Sequence, residues 1–67
     1  MSDKLQISLR AARVNANLRL IDAAKLIGIG KDTLMKWEKS PGLVTPIKQE
    51  IISRIYGLPV DVISFRP

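Results

Sequence analysis

Residues able to donate or accept hydrogen bonds or carry charge crowd into one stretch, GIGKDTLMKWEKS from Gly28 to Ser40, where Lys31, Asp32, Thr33, Lys36, Glu38 and Lys39 stand close together. Ammonium groups donate to anions and polar acceptors, while a carboxylate and a hydroxyl beside them add complementary partners. Bond-making chemistry is a different matter. The chain has no histidine and no cysteine, so the commonest general base and metal ligand is missing and no thiolate or disulfide is available. The acids Asp3, Asp22, Asp32, Glu38, Glu50 and Asp61 are dispersed, with no pair in an evident pocket. An enzyme is not expected, nor a metal, a cofactor or a small-molecule ligand.

The chain has 67 residues and a net charge of +5, with an isoelectric point near 10.1. A chain this short buries only about 60% of the surface it exposes when unfolded, which argues for one domain over residues 1–67 and against a large cleft. The basic balance fits a nucleic acid or an anionic surface, although a solvated face would also carry Lys31, Lys36 and Lys39. No apolar run approaches the roughly 20 residues of a membrane span, and the amino terminus lacks the apolar centre of a leader peptide. A cytoplasmic location without membrane contact is therefore expected.

Positioning these groups requires helices. Glycine and proline punctuate the chain at Gly28, Gly30, Pro41-Gly42, Pro46 and Gly57-Leu58-Pro59, and the segments between them repeat at three and four residues. The first helix starts after Ser8, an N-cap, and runs to Asn15 or Ala16 with Leu9, Ala12, Arg13 and Ala16 on one face. The second, Leu20 to Ile27, sets Leu20, Ala23, Ala24 and Ile27 on one side and stops at Gly28. The third is capped by Gly30, with Ile29 able to staple onto Leu34. At about 100° per residue, Thr33, Leu34 and Trp37 share an inner arc. Lys31, Asp32, Met35, Lys36 and Lys39 lie opposite, with Glu38 at the border. The fourth begins at Thr45-Pro46 and ends at Gly57 with Tyr56 closing the core. A fifth helical turn spans Val60 to Ile63, and SFRP trails as an extended tail.

The run LRLIDAAKLIGIGKDTLMKWEKS, with its paired alanines, Gly28, Ile29, then Thr33, Leu34, Trp37 and Glu38, resembles the helix-turn-helix of the Cro and phage-repressor family, the XRE type. The likeness extends through LRAARVNANL and IISRIYGLPVDVISF, so it covers nearly the whole chain. It implies an all-α, compact five-helix domain like that of lambda repressor, with the helix-turn-helix at about 20–39 formed by helices two and three. It further implies a sequence-specific transcriptional regulator that binds an operator in double-stranded DNA through the major groove, in a bacterial or phage-infected cell and associated with the nucleoid.

In such a domain the second helix of the motif meets base edges with its amino-terminal residues while the preceding helix crosses the backbone. Carried over, this makes Lys31, Asp32, Thr33 and Lys36 base readers: lysine for guanine O6 and N7, aspartate for cytosine N4, the threonine methyl for thymine. The amides of Leu20 and Gly30 would hold phosphates, with Arg19 and Lys39 adding charge. Arg13 and Glu38 would form the family's structural ion pair. The chain departs from the family at Arg19, where a hydroxyl or amide cap is common, at Leu20, where glutamine is common, and in the uncharged SPGLVTP loop. Leu20, together with Met35 and Leu43, leaves open a protein-interaction role of antirepressor or antitoxin type. Met35 is either a contact to a thymine methyl or an incidental surface residue. Val60, Ile63 and Phe65 either pair two copies into a dimer, at least on DNA, or fold back on Leu5 and Ile7 and seal a monomer.

Overall fold

The computed structural model describes residues 5–66; Asp3 among the acids and Pro67 of the SFRP tail lie outside them. Four α-helices, α1 (Leu9–Asn15), α2 (Leu20–Ile27), α3 (Lys31–Lys39) and α4 (Pro46–Tyr56), follow one another around a single core. Local chemistry sets their ends. Ser8 Oγ accepts from the Ala11 N–H at 3.0 Å and opens α1, while Thr45 Oγ1 accepts from the Lys48 N–H at 3.4 Å ahead of Pro46 and opens α4. Both satisfy an amide that the first helical turn leaves without an intrahelical partner.

Three helices stop by the same device. Asn17, Gly28 and Gly57 take left-handed backbone with φ of 60°, 87° and 71°. The next residue's N–H then reaches back to close the final turn: Leu18 to Arg13 O, Ile29 to Ala24 O, Leu58 to Ser53 O. Glycine adopts this conformation without a steric penalty, and asparagine is the side chain that tolerates it next best.

Leu9, Leu34, Ile52 and Ile63 are the largest fully buried side chains, joined by Ala12, Ala23, Ala24, Ile27, Val44 and Tyr56. The alanines let α2 lie close to its neighbours. Val44, in the uncharged loop after a 3-10 turn at Pro41–Leu43, adds a core residue that no helical pattern marks. Trp37 packs against the core from a partly buried position.

The five-helix expectation does not hold: among the described residues there are four α-helices. The Val60 to Ile63 segment makes a 3-10 turn over Val60–Val62, after which Ile63–Ser64 forms a strand (β2) in parallel pairing with Ile7–Ser8 (β1), Ile7 opposite Ile63. Pro59 fixes the entry to that turn at φ −59°, ψ 148°, and β-branched Val60, Val62 and Ile63 favour extended backbone over a further helical turn. Ser64 is thus part of a ladder rather than a trailing tail. Ile63 is 1% exposed and Val60 and Phe65 are partly buried, so this segment packs largely on the chain's own core beside Ile7, whereas Leu5, expected to join it, is 87% exposed. Thr33 also departs from expectation, being exposed rather than on the inner arc with Leu34.

Candidate nucleic-acid interface

The turn that joins α2 to α3 is three residues long in effect, Gly28, Ile29 and Gly30, and its geometry follows from the left-handed Gly28 and the partly buried Ile29. It sets α3 so that Leu34 is fully buried while Lys31, Asp32, Thr33, Met35, Lys36 and Lys39 are exposed. The inner edge of α3 is fixed by a second contact. Arg13 Nε on α1 donates to Glu38 Oε2 at 2.6 Å, Nη2 donates to Oε1 at 3.3 Å, and Nη1 donates to the Leu18 carbonyl at 3.0 Å. One guanidinium therefore ties α3 to α1 and to the chain leading into α2.

The two side chains of that pair are 12% and 10% exposed. Hydrogen bonding to Glu38 raises the Arg13 pKa above its already high ordinary value, with burial opposing. Beside them, the Tyr56 hydroxyl is buried and has no hydrogen-bond partner among the described residues. Burial pushes its pKa up to about 12, and the Glu38 carboxylate pushes the same way against Arg13. Tyr56 therefore stays neutral.

At the amino end of α2 the arrangement is looser. Arg19 occupies the N-cap position without a side-chain cap bond. Its guanidinium instead grips Asp22 in the first turn, Nε to Oδ2 at 2.8 Å and Nη2 to Oδ1 at 3.4 Å, with the side chains 81% and 39% exposed. That hydrogen bond holds the Asp22 carboxyl below its ordinary pKa and raises Arg19 above its own. Neither Arg19 at α2 nor Gly30 at α3 supplies a side-chain acceptor to the first-turn amides of its helix, which leaves those amides without a side-chain cap at the positive end of each helix dipole.

Two shallow grooves flank α3. One is lined by Asp32, Met35, Lys36, Lys39 and Ser40. The other runs between α3, the start of α2 and α1, and its lining includes Arg10, Leu20, Met35 and Lys39 along with the Arg13–Glu38 pair. Met35 and Lys39 belong to both. Arg10 was not singled out from the sequence; its place one turn before Arg13 on α1 is the signal that brings it to this face. Lys48 was also passed over, and its Nζ donates to the Ile27 carbonyl at 3.3 Å, satisfying the carboxy end of α2. The surface thus places Lys31, Asp32, Thr33, Lys36 and Lys39 on one helix, with Arg10, Arg19, Leu20 and Gly30 around it.

A helix-turn-helix family model matches residues 9–63, most of the chain. The chain belongs to the XRE-type helix-turn-helix family, that of Cro and the phage repressors. No curated protein and no solved structure matches it. Membership makes this helix-turn-helix protein a DNA-binding transcription regulator. Such domains are generally not enzymes. Among the described residues no helix is long and apolar enough to cross a membrane, and no group of acidic, histidine or cysteine side chains could hold a metal ion.

Proposed function

We propose that this protein is a sequence-specific regulator of the Cro or phage-repressor kind that occupies an operator and blocks polymerase or a competing regulator. Helix α3 enters the major groove. Lys31, Asp32, Thr33 and Lys36 read base edges, while Lys39, Arg19 and the amides at Leu20 and Gly30 hold phosphates, joined by Arg10. The observation that supports this reading best is the contrast across α3, whose inner edge is locked by Leu34 and the Arg13–Glu38 pair while its amino-terminal outer residues all stand free in solvent. A helix held this rigidly presents its donors at fixed positions, which base discrimination requires and charge attraction alone does not.

The partner on DNA is a second copy. Leu43 and Ile47, exposed on either side of the buried Val44, replace the Val60 to Phe65 segment as the apolar surface on offer. With +5 on each chain, two free copies repel until DNA neutralises them. A two-fold pair places its recognition helices about 34–36 Å apart, one turn of duplex. The protein works in the cytoplasm of a bacterial or phage-infected cell, at the nucleoid.

One observation favours a second reading, a protein-interaction module of antirepressor or antitoxin type. Leu20 is half-buried and apolar where the family commonly carries a phosphate-bracing glutamine, and Arg19 beside it is already occupied by Asp22. Selection from a random duplex library separates the two. Enrichment of a two-fold motif, bound more tightly than a scrambled duplex at two salt concentrations, supports the operator reader. Weak binding without enrichment that vanishes as salt rises reduces the charged edge to a basic surface that binds nucleic acid without sequence choice and turns the search to a protein partner.

A further inference from the structure

Met35 is the large apolar side chain that α3 leaves in solvent, 43% exposed. Its neighbours one turn away along the helix are Lys31, Asp32, Glu38 and Lys39, all charged, and it lies in both grooves that flank the helix. Across the inner groove it faces Leu20, the other apolar residue of that lining, with Arg10 and Lys39 completing the rim. A thioether ringed by charges gains nothing from water. It is flexible and polarisable, suited to filling an irregular apolar gap.

The major groove presents one apolar feature on its base edges, the C5 methyl of thymine. On the operator reading, which this inference rests on, the ridge that carries Lys31 and Asp32 into the groove continues one turn later at Met35, since residues three and four apart share a helix face. One turn rises about 5.4 Å, against about 3.4 Å per base step. We infer that Met35 is a specificity residue that reads a thymine methyl one or two base pairs from the pair contacted by Lys31 and Asp32, with Leu20 closing the apolar side of the contact. The half-site is thereby expected to hold a required thymine whose hydrogen-bonding edge no polar side chain needs to satisfy.

The test uses the duplex enriched by selection, with each thymine replaced in turn by deoxyuridine. This removes only the methyl and keeps the pairing. The wild-type protein is expected to lose about four-fold in affinity at one position per half-site, the worth of roughly one buried methyl-sized group. Met35→Ala is expected to bind thymine and uracil forms equally at that position, and Met35→Leu to keep most of the discrimination. Because Met35 is exposed, Met35→Ala should fold, and its helical circular dichroism checks that. An enriched duplex whose uracil forms all bind the wild type as tightly overturns this inference and leaves the operator reading standing. So does Met35→Ala that keeps the full uracil penalty. Failure of any sequence to enrich overturns the operator reading and takes this inference with it.

Discussion

Arg13–Glu38 and Arg19–Asp22 are arginine–carboxylate pairs of the same forked design, placed at opposite ends of the helix-turn-helix, and they do different work. Arg13 and Glu38 meet at 2.6 Å with side chains 12% and 10% exposed. Arg19 and Asp22 meet at 2.8 Å with side chains 81% and 39% exposed. Distance barely separates them; water does. In the first pair the charges have lost most of their solvent and lean on each other, so removing one leaves its partner poorly compensated. In the second, solvent screens the attraction, either group can exchange its partner for water, and Arg19 can exchange it for a passing anion. The enclosed pair ties α3 to α1, and the open pair lies at the start of α2, where the proposed reading puts a phosphate.

The largest expected effect follows from breaking the buried pair. Glu38→Gln should destabilise the domain by about 2 kcal/mol, since a charge-assisted hydrogen bond is lost and the part-buried Arg13 charge stays behind without its counterion. For a domain of this size that is a fall in Tm of about 8 °C or more. The double variant Arg13→Met, Glu38→Leu should recover most of the loss, because an apolar pair of similar bulk strands no charge. Urea denaturation of the three proteins decides it. Additive losses in the double variant would mean that the pair is not coupled.

Next come the outer residues of α3, which sharpen the contrast from the side of DNA. Lys31→Ala should lose about 1–3 kcal/mol of discrimination at one base position while leaving stability unchanged. Lys39→Ala should weaken every sequence alike and lower the salt slope by about one. Titration of the enriched and scrambled duplexes at two salt concentrations reads both, and equal losses on the two duplexes for both variants would defeat the division into base reader and phosphate holder.

A third prediction concerns the hydroxyl beside the buried pair. Tyr56→Phe removes an oxygen that has no partner among the described residues, so it should raise stability by about 1 kcal/mol, the lower end of what an unsatisfied buried polar group costs. Its pH signature has a definite sign. The tyrosine pKa is near 10 unfolded and about 12 in the fold, so the folded chain holds this proton more tightly. The contribution is complete below pH 10 and is lost as pH rises from about 10 through about 12. Lysines titrate in the same range, so the readout is the difference between wild type and Tyr56→Phe, which should widen above pH 10. A constant difference would show that the hydroxyl is solvated after all.

What could be read in the sequence divides along the same line between local and distant. The limits of α1, α2, α3 and α4 are written in residues next to them, Ser8, Gly28, Gly30, Pro46 and Gly57, because caps and stops are decided within one turn. The β1–β2 ladder joins Ile7 to Ile63, and no window of sequence contains both. Val44 lies in the uncharged SPGLVTP loop, and its burial is not written there because burial of a single loop residue depends on what α3 and α4 leave open. Arg10 reached the candidate surface for a similar reason: one turn from Arg13, it shares a groove with Leu20 and Met35 only after α2 and α3 are in place. The exposed character of α3 was legible from its helical period, apart from Thr33, which that period set among the core residues. The Arg19–Asp22 pair lay within reach of sequence reasoning, since a three-residue spacing at a helix start is a local signal.

That pair supplies the smallest expected effect and the one most specific to DNA. Asp22→Asn removes the acceptor that Arg19 now grips, and for so exposed a pair the loss of stability should be the smallest of the set, because solvent already screens the attraction. Asp22 has a depressed pKa, so its contribution is present above the unfolded carboxyl pKa and lost as pH falls through the folded one. The small stability gap between wild type and Asp22→Asn should therefore close in acid. Binding should move the other way. With its internal partner gone Arg19 is free to meet a phosphate, and a carboxylate that repels the backbone has left, so affinity for operator and scrambled duplex should rise together by a few-fold at low salt and converge with wild type as salt rises. If affinity falls instead, Asp22 is orienting Arg19 toward the backbone, and the open pair is a positioning device of the same kind as the buried one.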